Sequence, residues 1–144
     1  MPPNLFVLVI DDDEDAAQII CAYFKQVGCD ADSAGDGISA SAKIGKRKPD
    51  LIILDFKMPA ADGSTVYERL RRSTLTMDIP VIFLTAFPIE HLQKLVPAGP
   101  LVRYHKKPIV FAKLLQQARE VLAPASAPDP EEPSVNILDL DLPS

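Results

Sequence analysis

Cysteine is scarce: Cys21 and Cys29 are the only two, without CxxC spacing and without a nearby His, which excludes a structural zinc site. Both are expected as reduced thiols, one in a helix and one near a strand start. No apolar run approaches the roughly 18 residues that a membrane-spanning helix needs. The start, Met1-Pro2-Pro3-Asn4, lacks the basic and then apolar regions of a secretion signal. A cytoplasmic chain without a membrane partner is the expectation. A positive excess is also missing, with 15 Lys and Arg against 20 Asp and Glu, so composition gives direct nucleic-acid binding no support. The acidic surplus sits in one place. Residues 124–144 hold Asp129, Glu131, Glu132, Asp139 and Asp141 and no Lys or Arg, and removing those five acids leaves 15 charges of each sign in residues 1–123.

A chain of 144 residues with 47% hydrophobic residues fits one domain with a core of its own. From residue 5 to 122, short apolar runs alternate with amphipathic stretches, the pattern of repeated βα units around a mostly parallel sheet. Strands are expected at Leu5–Ile10, more weakly at Cys29–Ala34, and at Leu51–Leu54, Val81–Leu84 and Leu101–His105. Unbroken runs such as Leu51-Ile52-Ile53-Leu54 imply burial on both faces. Glu14–Val27 places Ala16, Ile20, Phe24 and Val27 on one helical face, with Gly28 as the stop. Further helices are expected at Gly37–Arg47, at Ser64–Arg72 with Ser64 as a cap, and at Ile109–Leu122. Pro88, Pro97, Gly99 and Pro100 confine the fourth helix to Ile89–Val96. Five such units make a doubly wound α/β sandwich, whose sites gather at the carboxyl ends of the strands.

Those ends carry Asp11-Asp12-Asp13, Asp55, Thr85-Ala86 and Lys106-Lys107-Pro108. Clustered carboxylates repel, and a hard divalent cation relieves the repulsion; Mg²⁺ suits such oxygen ligands, together with water and phosphate oxygens. A hydroxyl and a lysine beside a carboxylate–metal centre suit phosphoryl transfer, in which positioning and charge neutralisation do most of the work. A carboxylate can itself be the nucleophile, forming an aspartyl phosphate. Phosphoryl transfer to an Asp is the leading reading.

Over residues 5–122 the chain resembles the receiver (phosphoacceptor) domain of two-component response regulators. The resemblance rests on Val9-Ile10-Asp11-Asp12-Asp13, on Leu54-Asp55-Phe56-Lys57-Met58-Pro59-Ala60-Ala61-Asp62-Gly63, on Leu84-Thr85-Ala86 and on Tyr104-His105-Lys106-Lys107-Pro108. It implies a flavodoxin-like fold, a five-stranded parallel sheet of order 2-1-3-4-5 with five helices. It also implies that Asp55 accepts a phosphoryl group from a phosphohistidine of a histidine kinase or histidine phosphotransfer protein. Asp12, Asp55 and the Lys57 backbone carbonyl would bind Mg²⁺ directly, with Asp11 acting through a metal-bound water. Lys107, before a cis Pro108, would pair with the phosphoryl oxygens, the Ala86 amide would donate to them, and Thr85 would turn toward them with Tyr104 following inward. Lys57 and Phe87 would flank the phosphoryl group and tune its lifetime.

Each residue also has an ordinary role when taken alone. Asp11 to Asp15 make a helix cap with a favourable dipole charge, Thr85 ends a strand and Lys107 is a solvated lysine. Their joint arrival at one edge of one sheet favours the functional reading. Asp13, Glu14 and Asp15 stay in the capping or solvated class, and His91 and His105 are expected at the surface. A haloacid-dehalogenase-type phosphatase would need a carboxylate two residues beyond Asp55, where Lys57 stands. A nucleotide- or flavin-binding module would want a glycine-rich loop after strand one, where the acids stand. A phosphorylation-independent pseudo-receiver is the remaining class, although every phosphorylation position is filled.

Residues 1–123 are thus expected as the receiver domain and 124–144 as an acidic, proline-rich tail. No output domain follows, so a stand-alone receiver is expected, with a piece of a hybrid kinase or larger regulator as the alternative. From Leu138 to Leu142 the tail alternates apolar and acidic residues, and Ile137–Leu142 is expected to pack as an extended segment against the domain or a second copy, the latter giving a homodimer.

Overall fold

A computed structural model describes residues 4–56 and 62–123. Ten elements alternate along the chain: β1 (Phe6–Ile10), α1 (Glu14–Gln26), β2 (Asp30–Ala34), α2 (Gly37–Lys46), β3 (Leu51–Asp55), α3 (Asp62–Arg72), β4 (Val81–Thr85), α4 (Ile89–Leu95), β5 (Val102–Lys106) and α5 (Phe111–Leu122). The strands make one parallel sheet of order β2-β1-β3-β4-β5, as expected of a flavodoxin-like fold. Because side chains alternate across a strand, Val7, Val9, Leu51, Ile53, Ile82 and Leu84 meet α1 and α5 on one face. The intervening Leu8, Ile10, Ile52, Leu54, Val81 and Phe83 form the opposite core with residues of α2, α3 and α4. The three central strands are therefore buried at every position, which is why they read as unbroken apolar runs.

Element ends follow local chemistry. Asp13 caps α1, its carboxylate accepting from the Ala16 amide at 3.2 Å, and Gly28 leaves the helix at φ 99°, a conformation glycine adopts without a Cβ penalty. Asp36 caps α2 by accepting from the Ser39 amide at 2.7 Å, a bond that also lowers its pKa. The fourth helix is as short as its flanking prolines predict. Two expectations are corrected. Helix α3 starts at Asp62, so Ser64 lies inside it and is not its cap. In α1 the buried stripe is Ala17, Ile20, Cys21 and Phe24, with Ala16 and Val27 half-buried at its margins, because an i, i+3, i+4, i+7 set defines the face.

Cys21 and Cys29 are buried and unpaired, and burial pushes both thiols up from their ordinary pKa, which keeps them in the unreactive protonated form. No described helix is long and apolar enough to cross a membrane. The expected linker, the Ile137–Leu142 segment and Lys57 lie outside the described residues.

Candidate functional site

The sheet order reverses between β1 and β3, and their register pairs Ile10 with Leu54. The next residue of each strand, Asp11 and Asp55, therefore emerges side by side at the carboxyl edge, where a topological switch point opens a crevice. One carboxylate oxygen from each of Asp11, Asp12 and Asp55 lies within 4.8 Å of the others. Asp11 and Asp55 are buried and Asp12 is exposed. The loop leaving β1 is held locally: the Asp11 amide donates to the Ala34 carbonyl at 3.0 Å, and its carboxylate accepts from the Asp13 amide at 2.9 Å. The positive end of α1 faces this turn. Hard oxygen donors this close fit one small divalent cation, which needs few protein ligands and keeps water or phosphate in its other positions.

Lys107 reaches the same point from the far side. Its Nζ lies 2.6 Å from Asp55 Oδ1, in a pair where the aspartate side chain is 2% exposed and the lysine 35%. Its amide donates to the Thr85 carbonyl at 2.7 Å, and the following bond to Pro108 is cis. Thr85 is fully buried; its hydroxyl accepts from the Phe87 amide at 3.0 Å and donates to the Phe87 carbonyl at 3.2 Å. Ala86 follows it, exposed, at the same edge. Tyr104 sits deeper along β5, its ring stacked on Phe83 at 6.5 Å and its hydroxyl donating to the Val96 carbonyl just past α4. Burial pushes the Tyr104 phenol up from its usual pKa, and Tyr67 adds to the shift.

The structure thus brings Asp11, Asp12, Asp55 and Lys107 together, with Thr85 and Ala86 on the neighbouring loop, while Asp13, Glu14 and Asp15 serve as the α1 cap and its exposed first turn. A cavity of about 280 Å³ opens beside the three aspartates. Its other walls come from residues to which the sequence reading assigned no part: Asp36 and Ile38 at the start of α2, and Val66 and Arg69 of α3. Nothing local marks them, since they join the site only through the crossover that lays α2 and α3 over β1 and β3.

His91 is exposed as expected, but His105 is not: it is 1% exposed. Its Nδ1 faces Gln117 Oε1 at 2.8 Å and its Nε2 lies 3.1 Å from the Val110 amide. An amide can only donate, so Nε2 accepts and Nδ1 carries the proton to Gln117. Gln117 in turn donates to the Tyr104 carbonyl at 2.7 Å. This bridge ties the loop carrying Lys107 to α5. His105→Leu, which strands the Val110 amide and one end of Gln117, is expected to lower stability by about 1–3 kcal/mol in urea unfolding; an unchanged midpoint would show that the bridge carries no net stability.

Residues 7–119 match the family described as response regulator receiver domain. The DNA-binding dual master transcriptional regulator RpaA of Synechocystis sp. is 44% identical over 80 residues, 56% of this chain and 33% of RpaA. Response regulator MprA of Mycobacterium sp. strain KMS is 31% identical over 138 residues, 94% of this chain and 59% of MprA. The chain thus spans less than two thirds of either relative. Among solved structures, the chemotaxis protein CheY4 of Vibrio cholerae superposes with a TM-score of 0.71 at 26% identity, over 82% of this chain and 98% of that one. The acidic triad is typical of a metal site in such domains. With a family match that runs from β1 into α5, this chain belongs to the response regulator receiver domains.

Proposed function

We propose that Asp55 accepts a phosphoryl group from the phosphohistidine of a histidine kinase or histidine phosphotransfer protein, with Mg²⁺ held by Asp11, Asp12, Asp55 and the Lys57 carbonyl. A receiver domain implies a cognate histidine kinase. The observation that carries the reading is the meeting of three carboxylates, two of them buried, with the Lys107 ammonium paired to Asp55. A carboxylate oxygen of Asp55 attacks phosphorus, the phosphorus–nitrogen bond of the donor breaks, and the imidazole departs with the electron pair and takes up a proton. When bound, the cation neutralises phosphoryl oxygens and holds them in line for attack. Lys107, 2.6 Å from Asp55 Oδ1, is the cation that would pair with a phosphoryl oxygen once Asp55 carries it. The Ala86 amide supplies a donor at the same edge.

The acyl phosphate carries roughly −1.5 to −2 charges where the Asp55 carboxylate carried one, next to Asp11 and Asp12. Thr85 can trade its bond with the Phe87 backbone for one to a phosphoryl oxygen, which frees the loop after β4. Because Tyr104 links β5 to the end of α4, that loop movement reaches the α4–β5 surface. The output is a changed protein-contact surface, with residues 1–123 as the receiver unit and 124–144 as its appendage in a cytoplasmic signalling pathway.

Incubation with acetyl phosphate and Mg²⁺ is expected to add the mass of one phosphoryl group, and Asp55→Asn to abolish the gain. An unchanged wild-type mass, or an Asp55→Asn variant that gains phosphate equally well, would sink the proposal.

A further inference from the structure

We propose that residues 135–142 of this chain dock onto their own domain, in the groove between α2 and α3. That groove, about 570 Å³, runs from the acidic pocket toward the loop after α3. Its walls are largely apolar, with Ala40 and Ile44 from α2, Val66 from α3 and Leu75 from the following loop, the last 76% exposed. The charged residues lining it are Lys48 and Arg69; no described residue lining it is acidic. Lys48 spends part of its donor capacity on Asp78 at 3.0 Å, and an ammonium has three donors to offer. The groove therefore asks for an occupant that is apolar on one side and anionic at its edges.

Val135-Asn136-Ile137-Leu138-Asp139-Leu140-Asp141-Leu142 has that composition, and no cation occurs between residues 124 and 144 to oppose Lys48 and Arg69. In an extended segment, alternate side chains face opposite sides. Leu138, Leu140 and Leu142 would line the groove while Asp139 and Asp141 reach its cationic rim. Length permits the path: Pro124 to Ile137 spans up to roughly 45 Å when extended, and α2, α3 and α5 all run back to the amino edge of the parallel sheet, so the tail starts at the same edge as the Lys48 and Leu75 end of the groove. Tethering also favours the chain's own segment over a second copy, since a short linker holds it at an effective concentration on the order of millimolar. The groove shares Gly37, Val66 and Arg69 with the acidic pocket, so the docked segment would lie against one wall of the candidate phosphoacceptor site. The inference itself needs only the groove and the segment, and it stands whether or not Asp55 is phosphorylated.

The test is paramagnetic broadening in the full chain, with a nitroxide on Asn136→Cys; Cys21 and Cys29 are buried and escape brief labelling. Amide signals of residues 40–45 and 70–75 should lose intensity equally at low and high protein concentration. They should recover in Leu138→Asp/Leu140→Asp, which leaves the domain untouched, and in Lys48→Glu/Arg69→Glu. Broadening elsewhere or nowhere overturns the proposal. So does broadening that persists in both variants. Broadening that appears only when labelled protein is mixed with a separate isotope-enriched sample identifies a second copy as the occupant and likewise overturns it.

Discussion

Phe83→Ala is expected to destabilise the domain by about 3–5 kcal/mol, the usual range for emptying a fully buried phenylalanine site. Phe83 is 0% exposed at the centre of β4 and meets three other rings: Tyr67 at 5.2 Å, Phe56 at 6.2 Å and Tyr104 at 6.5 Å. The first two contacts are edge-on and the third is stacked. Such pairs are each worth roughly 0.5–1.5 kcal/mol beyond the area they bury. The neighbours cannot close over the gap easily, because β3 and β5 are pinned to β4 by paired backbone. A single domain holds only about 5–15 kcal/mol in total, so the loss should show as a large fall in the urea midpoint with little change in slope. A cost below about 1 kcal/mol would mean that the aromatic cluster collapses freely. The same truncation removes the ring on which Tyr104 stacks, so it should also loosen the tie between β5 and the end of α4.

Magnesium is expected to raise the unfolding midpoint of the cation-free protein, and Asp12→Asn to remove most of that rise. A ligand that binds only the folded state stabilises it by about 2.7 kcal/mol at a hundredfold excess over its Kd, which for a domain of this size is on the order of 10 °C. The sign follows from the site: three carboxylates meet within 4.8 Å, with Lys107 paired to Asp55. Their mutual repulsion destabilises the folded state until a cation is shared among them. For that reason Asp12→Asn, which removes the exposed member of the three, should be no less stable than wild type without the cation yet gain little when it is added. Sodium chloride at matched ionic strength controls for screening. Equal midpoints with and without Mg²⁺ would remove the cation from the proposed site, and an equal rise in Asp12→Asn would place binding elsewhere.

Legibility from sequence followed burial. The strands β1, β3 and β4 were plain because both their faces are covered. The edge strand β2, Asp-Ala-Asp-Ser-Ala, buries only Ala34, so its hydrophobic signal is weak and its place follows from pairing with β1. The arrival of Asp11, Asp12, Asp55, Thr85 and Lys107 at one sheet edge was legible because each ends or follows a strand, and strand ends can be read from apolar runs. His105 was misread as a surface residue. Its burial depends on Gln117 and Val110, brought over it by α5, and no local pattern around residue 105 announces a partner twelve residues away. Arg69 and Val66 were missed for a similar reason, since a helix pattern says which side is apolar and not which pocket its next turn borders.

Sequence alone determined the alternation of strands and helices, the two-sided burial of the central strands and the chemical types delivered to their carboxyl ends. Those properties live in runs and spacings a few residues long, which physical chemistry reads locally. Tertiary structure decided which ends are neighbours. Asp11 and Asp55 stand 44 positions apart in the chain and meet because β1 pairs with β3 in a register that aligns Ile10 with Leu54. Lys107 joins them across two more strands because β4 and β5 continue the sheet in order. A one-residue slip in any of those pairings would turn every side chain of the strand to the other face, so the cost of exposing the core is what holds the carboxylates and the lysine together.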